Sequence, residues 1–84
     1  MSLHLVFSTS GWRSCRVRLA HADAVVLLGD GVYAAHQAEH SAVHVLEEDA
    51  HIRGIAVDAK HTLISYDELV ALCTQYQPLV SWND

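Results

Sequence analysis

Val25-Val26-Leu27-Leu28-Gly29-Asp30-Gly31-Val32-Tyr33-Ala34-Ala35, written VVLLGDGVYAA, is the stretch whose reading decides the fold. Four apolar residues run into Gly-Asp-Gly. A β-hairpin would need apolar and polar residues to alternate on both sides of that turn. The continuation, "VYAAHQAEH", does not alternate, and Ala34, Ala35 and Ala38 favour helix. The stretch therefore reads as strand, tight turn, helix. Asp30 is placed to accept backbone N–H groups at the helix start, and Gly31 lets the backbone turn. The loop has neither glycine-rich nucleotide fingerprint, and a carboxylate in it repels phosphate.

The same grammar extends in both directions. "LHLVFS" (3–8) is a short apolar run with β-branched and aromatic content, a predicted strand. Behind it, Trp12, Cys15, Leu19 and Ala22 recur at helical spacing, which predicts a helix opened by Ser10. "AVVLL" (24–28) is apolar on both faces, as a strand buried between layers would be. "AVHVL" (42–46) and "HTLIS" (61–65) are two further strands. Between them "EEDAHIRG" reads as a short helical turn closed by Gly54. The clearest helix is "SYDELVALCTQYQP". Ser65 and Glu68 form a capping box, the apolar stripe is Leu69, Val70, Leu72, Cys73 and Tyr76, and Pro78 stops it.

Strands alternating with short helices predict an α/β fold. It is a small single domain over residues 1–84, with a mostly parallel sheet of about four strands between flanking helices. In open parallel sheets ligands bind beyond the carboxyl ends of the strands. That edge would gather Ser8–Trp12, Gly29–Tyr33, Glu47–Asp49 and Tyr66.

Composition narrows the function classes. The chain has 84 residues, 51% hydrophobic and 18% charged, with a net charge of −5. A chain this short buries only about 60–65% of its unfolded surface, so part of its apolar surface is expected to be covered by partners. Five Lys and Arg residues are too few for nucleic-acid binding by the chain alone. No apolar run approaches a membrane span, and the start lacks a secretory pattern, which points to the cytosol. In that compartment Cys15 and Cys73 are expected as free thiols.

Cys15 is the candidate for covalent chemistry. Arg13, Arg16 and Arg18 surround it in sequence, and cations lower a thiol's pKa. It also shares the stripe of Trp12 and Leu19, where a thiol packs and stays inert. Cys73 sits in the apolar face of the last helix, a packing position. His36 and His40 have the i, i+4 spacing of a helical metal pair, but no third ligand completes it, so no metal or other cofactor is expected. Glu47, Glu48 and Asp49 read as a solvated helix start that suits the helix dipole. Trp82 is expected to pack on a neighbouring element or a partner subunit.

"LLGDGVYAA", "VHVLEEDAHIRG" and "ISYDELVALCTQYQPLVSW", in that order, resemble the DsrH/TusB family of sulfur-relay proteins. "HLVFSTSGW" (4–12) is similar to the family's N-terminal segment, with Thr9-Ser10 where the family has Ser-Pro. The resemblance covers essentially the whole chain. It implies a three-layer, flavodoxin-like α/β subunit that joins TusC/DsrF-like and TusD/DsrE-like paralogues in a heterohexamer. Made alone, such a chain can self-associate through the same faces. In the Tus branch the complex relays persulfide sulfur toward 2-thiolation of the tRNA wobble uridine. In the Dsr branch it serves sulfur oxidation. The principal sulfur-carrying cysteine resembles one on the TusD/DsrE-like subunit, so this chain is expected to be an accessory subunit. Asp30, Gly31, Tyr33 and Trp82 are its interface or structural residues. Dsr-type members carry a first-helix cysteine at the offset Cys15 shows from Asp30, which keeps Cys15 as a persulfide carrier in view. The remaining alternative is a standalone small-ligand or metal-binding α/β module.

Overall fold

A computed structural model covers residues 1–84. Five strands form one sheet: β1 (Leu3–Val6), β2 (Ala24–Leu27), β3 (Val43–Leu46), β4 (Thr62–Ile64) and β5 (Leu79–Trp82). Their order is β4-β3-β2-β1-β5, and every neighbouring pair is parallel. Three α-helices connect them: α1 (Thr9–Arg16), α2 (Glu47–Ile52) and α3 (Tyr66–Gln75). A 3-10 helix, Gly29–Ala34, follows β2. The α/β layering and the parallel pairing agree with the sequence. The strand count does not: β5, in "PLVSW", is a fifth strand that the reading of Trp82 as a docking residue concealed.

The alternation of each strand sorts its side chains onto two faces. Val6, Val25, Leu27, Val43 and Val45 point to the side covered by α1, the 3-10 helix and α2. There they pack with Trp12, Cys15, Val32 and the alanines 34, 35, 38 and 50. Leu3, Ala24, Val26, Leu28, Leu46 and Ile64 belong to the other side. Only α3 covers that side, through Leu69, Leu72, Cys73 and Tyr76, and none of its residues is fully buried. Each fully buried Val or Leu is worth about 1.5–3 kcal/mol. Both clusters therefore contribute, and the α1 side adds Trp12 and Cys15 to its aliphatic set. Val70, read as part of the α3 stripe, is exposed.

Several local expectations shift. The cap of α1 is Ser8, whose Oγ accepts the Gly11 N–H at 2.9 Å, and not Ser10. The helix also stops early: Arg18 N–H closes a tight turn on the Cys15 carbonyl at 2.9 Å. Leu19 still packs on the core from outside the helix. The Ser65–Glu68 capping box forms as read, with bonds of 2.9 and 3.2 Å. Gly54 closes α2 with φ +66°, a left-handed conformation suited to glycine. No helix is long and apolar enough to cross a membrane.

Candidate functional site

The carboxyl ends of β1 to β4 open onto one rim, and Gly29-Asp30-Gly31 stands at its centre. Gly29 takes φ +54°, the left-handed turn that sends the chain out of the sheet. Gly31 has a different task. A Cβ there would lie 2.0 Å from the Val6 carbonyl oxygen, so the 3-10 helix crosses the end of β1 with no room for a side chain. Glycine is needed at 29 for conformation and at 31 for approach.

Asp30 does not cap this helix, contrary to the sequence reading. Its carboxylate is turned outward and accepts Arg53 Nε at 3.0 Å. The cap comes from 20 residues along the chain, where Asp49 Oδ2 accepts the Gly29 N–H at 2.7 Å. Arg53 Nη1 also reaches the Asp49 carbonyl, at 3.4 Å. Asp49 and Arg53 thus tie α2 to the turn after β2. Glu47 and Glu48 are exposed, as expected of a solvated helix start, but Asp49 is half-buried and structural. The negative charge of Asp49, reinforced by Glu48, raises the Tyr66 phenol above its usual range. Tyr66 presents its hydroxyl on an acidic rim.

Beside this knot lies an open groove of about 780 Å³. Its apolar part is Ile55, Val57 and Leu63; Glu47, Glu48 and Asp67 stand around it with Tyr66. Leu63 is 42% exposed and Tyr66 49%. Phe7 and Tyr33 are also exposed, on the segments leaving β1 and β2. Exposed aromatics on several converging elements are a composition enriched at protein interfaces.

Cys15 is elsewhere. It is fully buried within the α1-side core. Burial, helped by the charge of Asp23, pushes its thiol up to about 12. The arginines near it in sequence are exposed on the outer side of α1 and do not set its environment. Cys73 is half-buried on the core-facing side of α3. His36 is exposed, whereas His40 Nε2 bonds the Asp23 carbonyl at 2.6 Å, so the two do not form a pair. No group of three or more His, Cys, Asp or Glu side chains is placed to hold a metal ion.

A second network, running from the amino end of β2 across β1 to Trp82 on β5, is one that the sequence reading missed. His4 is 4% exposed. Its Nδ1 accepts the Trp82 indole N–H at 3.0 Å, which leaves Nε2 as the protonated nitrogen that donates to Asp23 Oδ2 at 3.0 Å. Asp23 also accepts the N–H groups of Ser2 and Ala20, at 2.9 and 3.0 Å. Those bonds, the Ser2 N–H first and His4 next, lower its carboxyl to about 2. Trp82 is thus a pin between β5 and β1. The available signal was His4 itself, a polar residue inside an apolar strand, which must find partners when buried.

Comparison with known proteins agrees with this architecture. The sequence pattern of the DsrH family, described as DsrH like protein, matches residues 6–79. The solution NMR structure of protein Tm0979 from Thermotoga maritima is similar at 31% sequence identity and a TM-score of 0.69. The alignment covers 89% of this chain and 93% of that one. No curated protein matches the sequence.

Proposed function

The chain belongs to the DsrH-like family of sulfur-relay subunits, and from that premise we propose that it acts as an accessory subunit, residues 1–84 forming one domain. It supports persulfide transfer toward 2-thiolation of the tRNA wobble uridine in the cytosol. Its partners are TusC/DsrF-like and TusD/DsrE-like paralogues in a heterohexamer. The carboxyl rim, with Asp30, Tyr33 and Tyr66, faces a neighbouring subunit.

The observation that carries this reading is the family match over residues 6–79. The state of Cys15 supports assigning the sulfur carrier to a partner. A persulfide relay needs an accessible thiolate, and a thiol enclosed in the core with its pKa near 12 is neither accessible nor ionised at neutral pH. Cys15 on this reading is a core residue.

Co-expression with the two neighbouring reading frames tests the assignment, with native mass spectrometry as readout. The expected result is a stable complex of unequal subunits. A chain that purifies alone from that co-expression overturns it. Deleting the gene separates the branches: 2-thiouridine in tRNA falls if the complex serves tRNA, and is unchanged if it serves sulfur oxidation.

A further inference from the structure

Three histidine rings are tied into the fold by hydrogen bonds, and they respond differently to a proton. His40 and His61 meet the backbone carbonyls of Asp23 and Ala35, at 2.6 and 2.7 Å, so each ring donates there. A second proton on either ring leaves its bond intact. His4 is arranged the other way. Its Nδ1 accepts the Trp82 indole N–H at 3.0 Å while its Nε2 donates to Asp23. An indole nitrogen only donates, and an imidazolium has no acceptor. A proton on Nδ1 therefore sets two N–H groups against each other. His4 is the one histidine whose protonation breaks a hydrogen bond of the fold.

The surroundings provide for that proton. Asp23 Oδ2, 3.0 Å from Nε2, is the counter-charge for an imidazolium. The Ser2 N–H, followed by His4 itself, keeps the Asp23 carboxyl down at about 2, so the counter-charge persists in mildly acidic solution. From α1, Cys15 packs in the same core, and burial pushes its thiol up to about 12, which leaves it neutral. His40 approaches Asp23 only at its backbone carbonyl. Arg13, Arg16 and Arg18 are exposed on the outer side of α1. Neither Lys nor Arg forms an ion pair with Asp23 that would compete with His4.

What the Trp82 bond holds is an edge strand. β5 pairs with β1 alone. Its Leu79 and Ser81 are exposed, whereas Trp82 packs against the α1-side core. Beyond Trp82, the Asp84 carboxylate accepts the Ser14 hydroxyl at 2.9 Å, so the segment after β5 lies across α1.

We propose that His4 is a proton-operated latch on β5. Protonation at Nδ1 exchanges the Trp82 hydrogen bond for an ion pair with Asp23. It frees the carboxyl end of β5, with residues 83–84, while the rest of the sheet stays folded. The latch is a property of the fold and stands apart from the relay assignment.

Two measurements on the full chain test it at about pH 8 and about pH 5, on either side of the range in which imidazoles gain a proton. The first is the cost of Trp82→Phe in urea unfolding, a substitution that removes the indole donor and keeps an aromatic ring. At about pH 8 the lost bond lowers the folding equilibrium constant about fivefold. At about pH 5 the parent has already given up the bond, and that fivefold loss disappears. A tryptophan that only packs costs the same at both. The second is nitrogen and proton NMR of the parent. His4 carries its proton on Nε2 alone at the higher pH and on both nitrogens at the lower. The Trp82 indole proton moves upfield between the two, while that of the buried Trp12 stays in place. A His4 that keeps a bare Nδ1 at about pH 5 overturns the proposal. So does a Trp82→Phe cost that is equal at both pH values. Trp12 and Trp82 signals that change together also overturn it, because the whole chain is then unfolding.

Discussion

At the amino end of the sheet, Asp23 collects four partners, and His4 and Trp82 link β1 to β5 inside the protein. At the carboxyl end, Asp49 and Arg53 hold one turn in place, while Phe7, Tyr33, Leu63 and Tyr66 remain exposed around an open groove. Both ends use polar side chains to tie loops together. They differ in how much of the surface is finished. The amino end gathers polar groups from β1, β2 and the loops before them around the one carboxylate of Asp23. The carboxyl end fixes its backbone and leaves its apolar and aromatic groups uncovered. One end is built to hold the sheet and the other to be met.

The largest effect should come where the carboxyl rim is tightest. Gly31→Ala places a methyl 2.0 Å from a backbone oxygen of β1, and neither side can swing away. It should cost about 3 kcal/mol or more, seen as a lower urea midpoint or failure to fold. A cost under about 1 kcal/mol would mean that the 3-10 helix can lift off the end of β1, and that the rim is not rigid.

The amino end is probed through Asp23. Its folded carboxyl titrates at about 2, below the ordinary value of 3.8. A depressed acid contributes stability that is fully present above the ordinary value and is lost as pH falls through the folded one. Unfolding free energy should therefore drop between about pH 4 and pH 2, and Asp23→Asn should flatten that slope while costing about 2 kcal/mol at pH 7. Urea titrations at pH 7 and pH 3 check both. An unaltered slope would detach Asp23 from the network.

Smaller effects rank the two ends against each other. Asp49→Ala leaves the half-buried Gly29 N–H without its acceptor and should cost about 1–2 kcal/mol. Trp82→Phe removes one bond to His4 and should cost about 1 kcal/mol. Arg53→Met breaks the partly exposed ion pair with Asp30 and a long bond to the Asp49 carbonyl, and should change stability by less than about 1 kcal/mol. Thermal or urea unfolding of the three variants gives the order. If Arg53→Met ranks above Asp49→Ala, the tie between α2 and the β2 turn is ionic rather than a helix-start bond.

Reactivity separates Cys15 from a carrier thiol. With its pKa near 12 and no exposed surface, Cys15 should react with iodoacetamide at pH 7.5 only as fast as the protein opens, and rapidly in urea. Peptide mapping distinguishes it from Cys73. Fast labelling of Cys15 in the folded chain would restore it as a sulfur carrier.

The parts of the fold that could be read from sequence were those encoded locally. The capping box at Ser65 and Glu68, the Gly54 stop and the doubly apolar strand at 24–28 each depend on a few neighbouring residues, and each is present. The failures came from long-range partners. Asp30 was the natural cap by position, but Asp49 takes the bond because α2 folds back over the turn. The helix after Gly29 is 3-10 rather than α, in a segment with two glycines that must clear the Val6 carbonyl. β5 escaped notice because four residues after a proline give no periodicity to measure, and its strand identity comes from pairing with β1. Of the site, Gly31 and the acidic run at 47–49 were visible. The Asp49–Arg53 tie and the groove beside β4 exist only once α2 and α3 start from adjacent strands.

Hydrogen–deuterium exchange, with the chain alone and within the co-expressed complex, tests the contrast between the two ends most directly. If the carboxyl rim is what partners meet, complex formation should slow exchange in residues 29–34, 47–53 and 63–67, and leave 2–5 and 20–26 unchanged. Protection confined to the amino end, or to the outer side of α3 alone, would contradict the account.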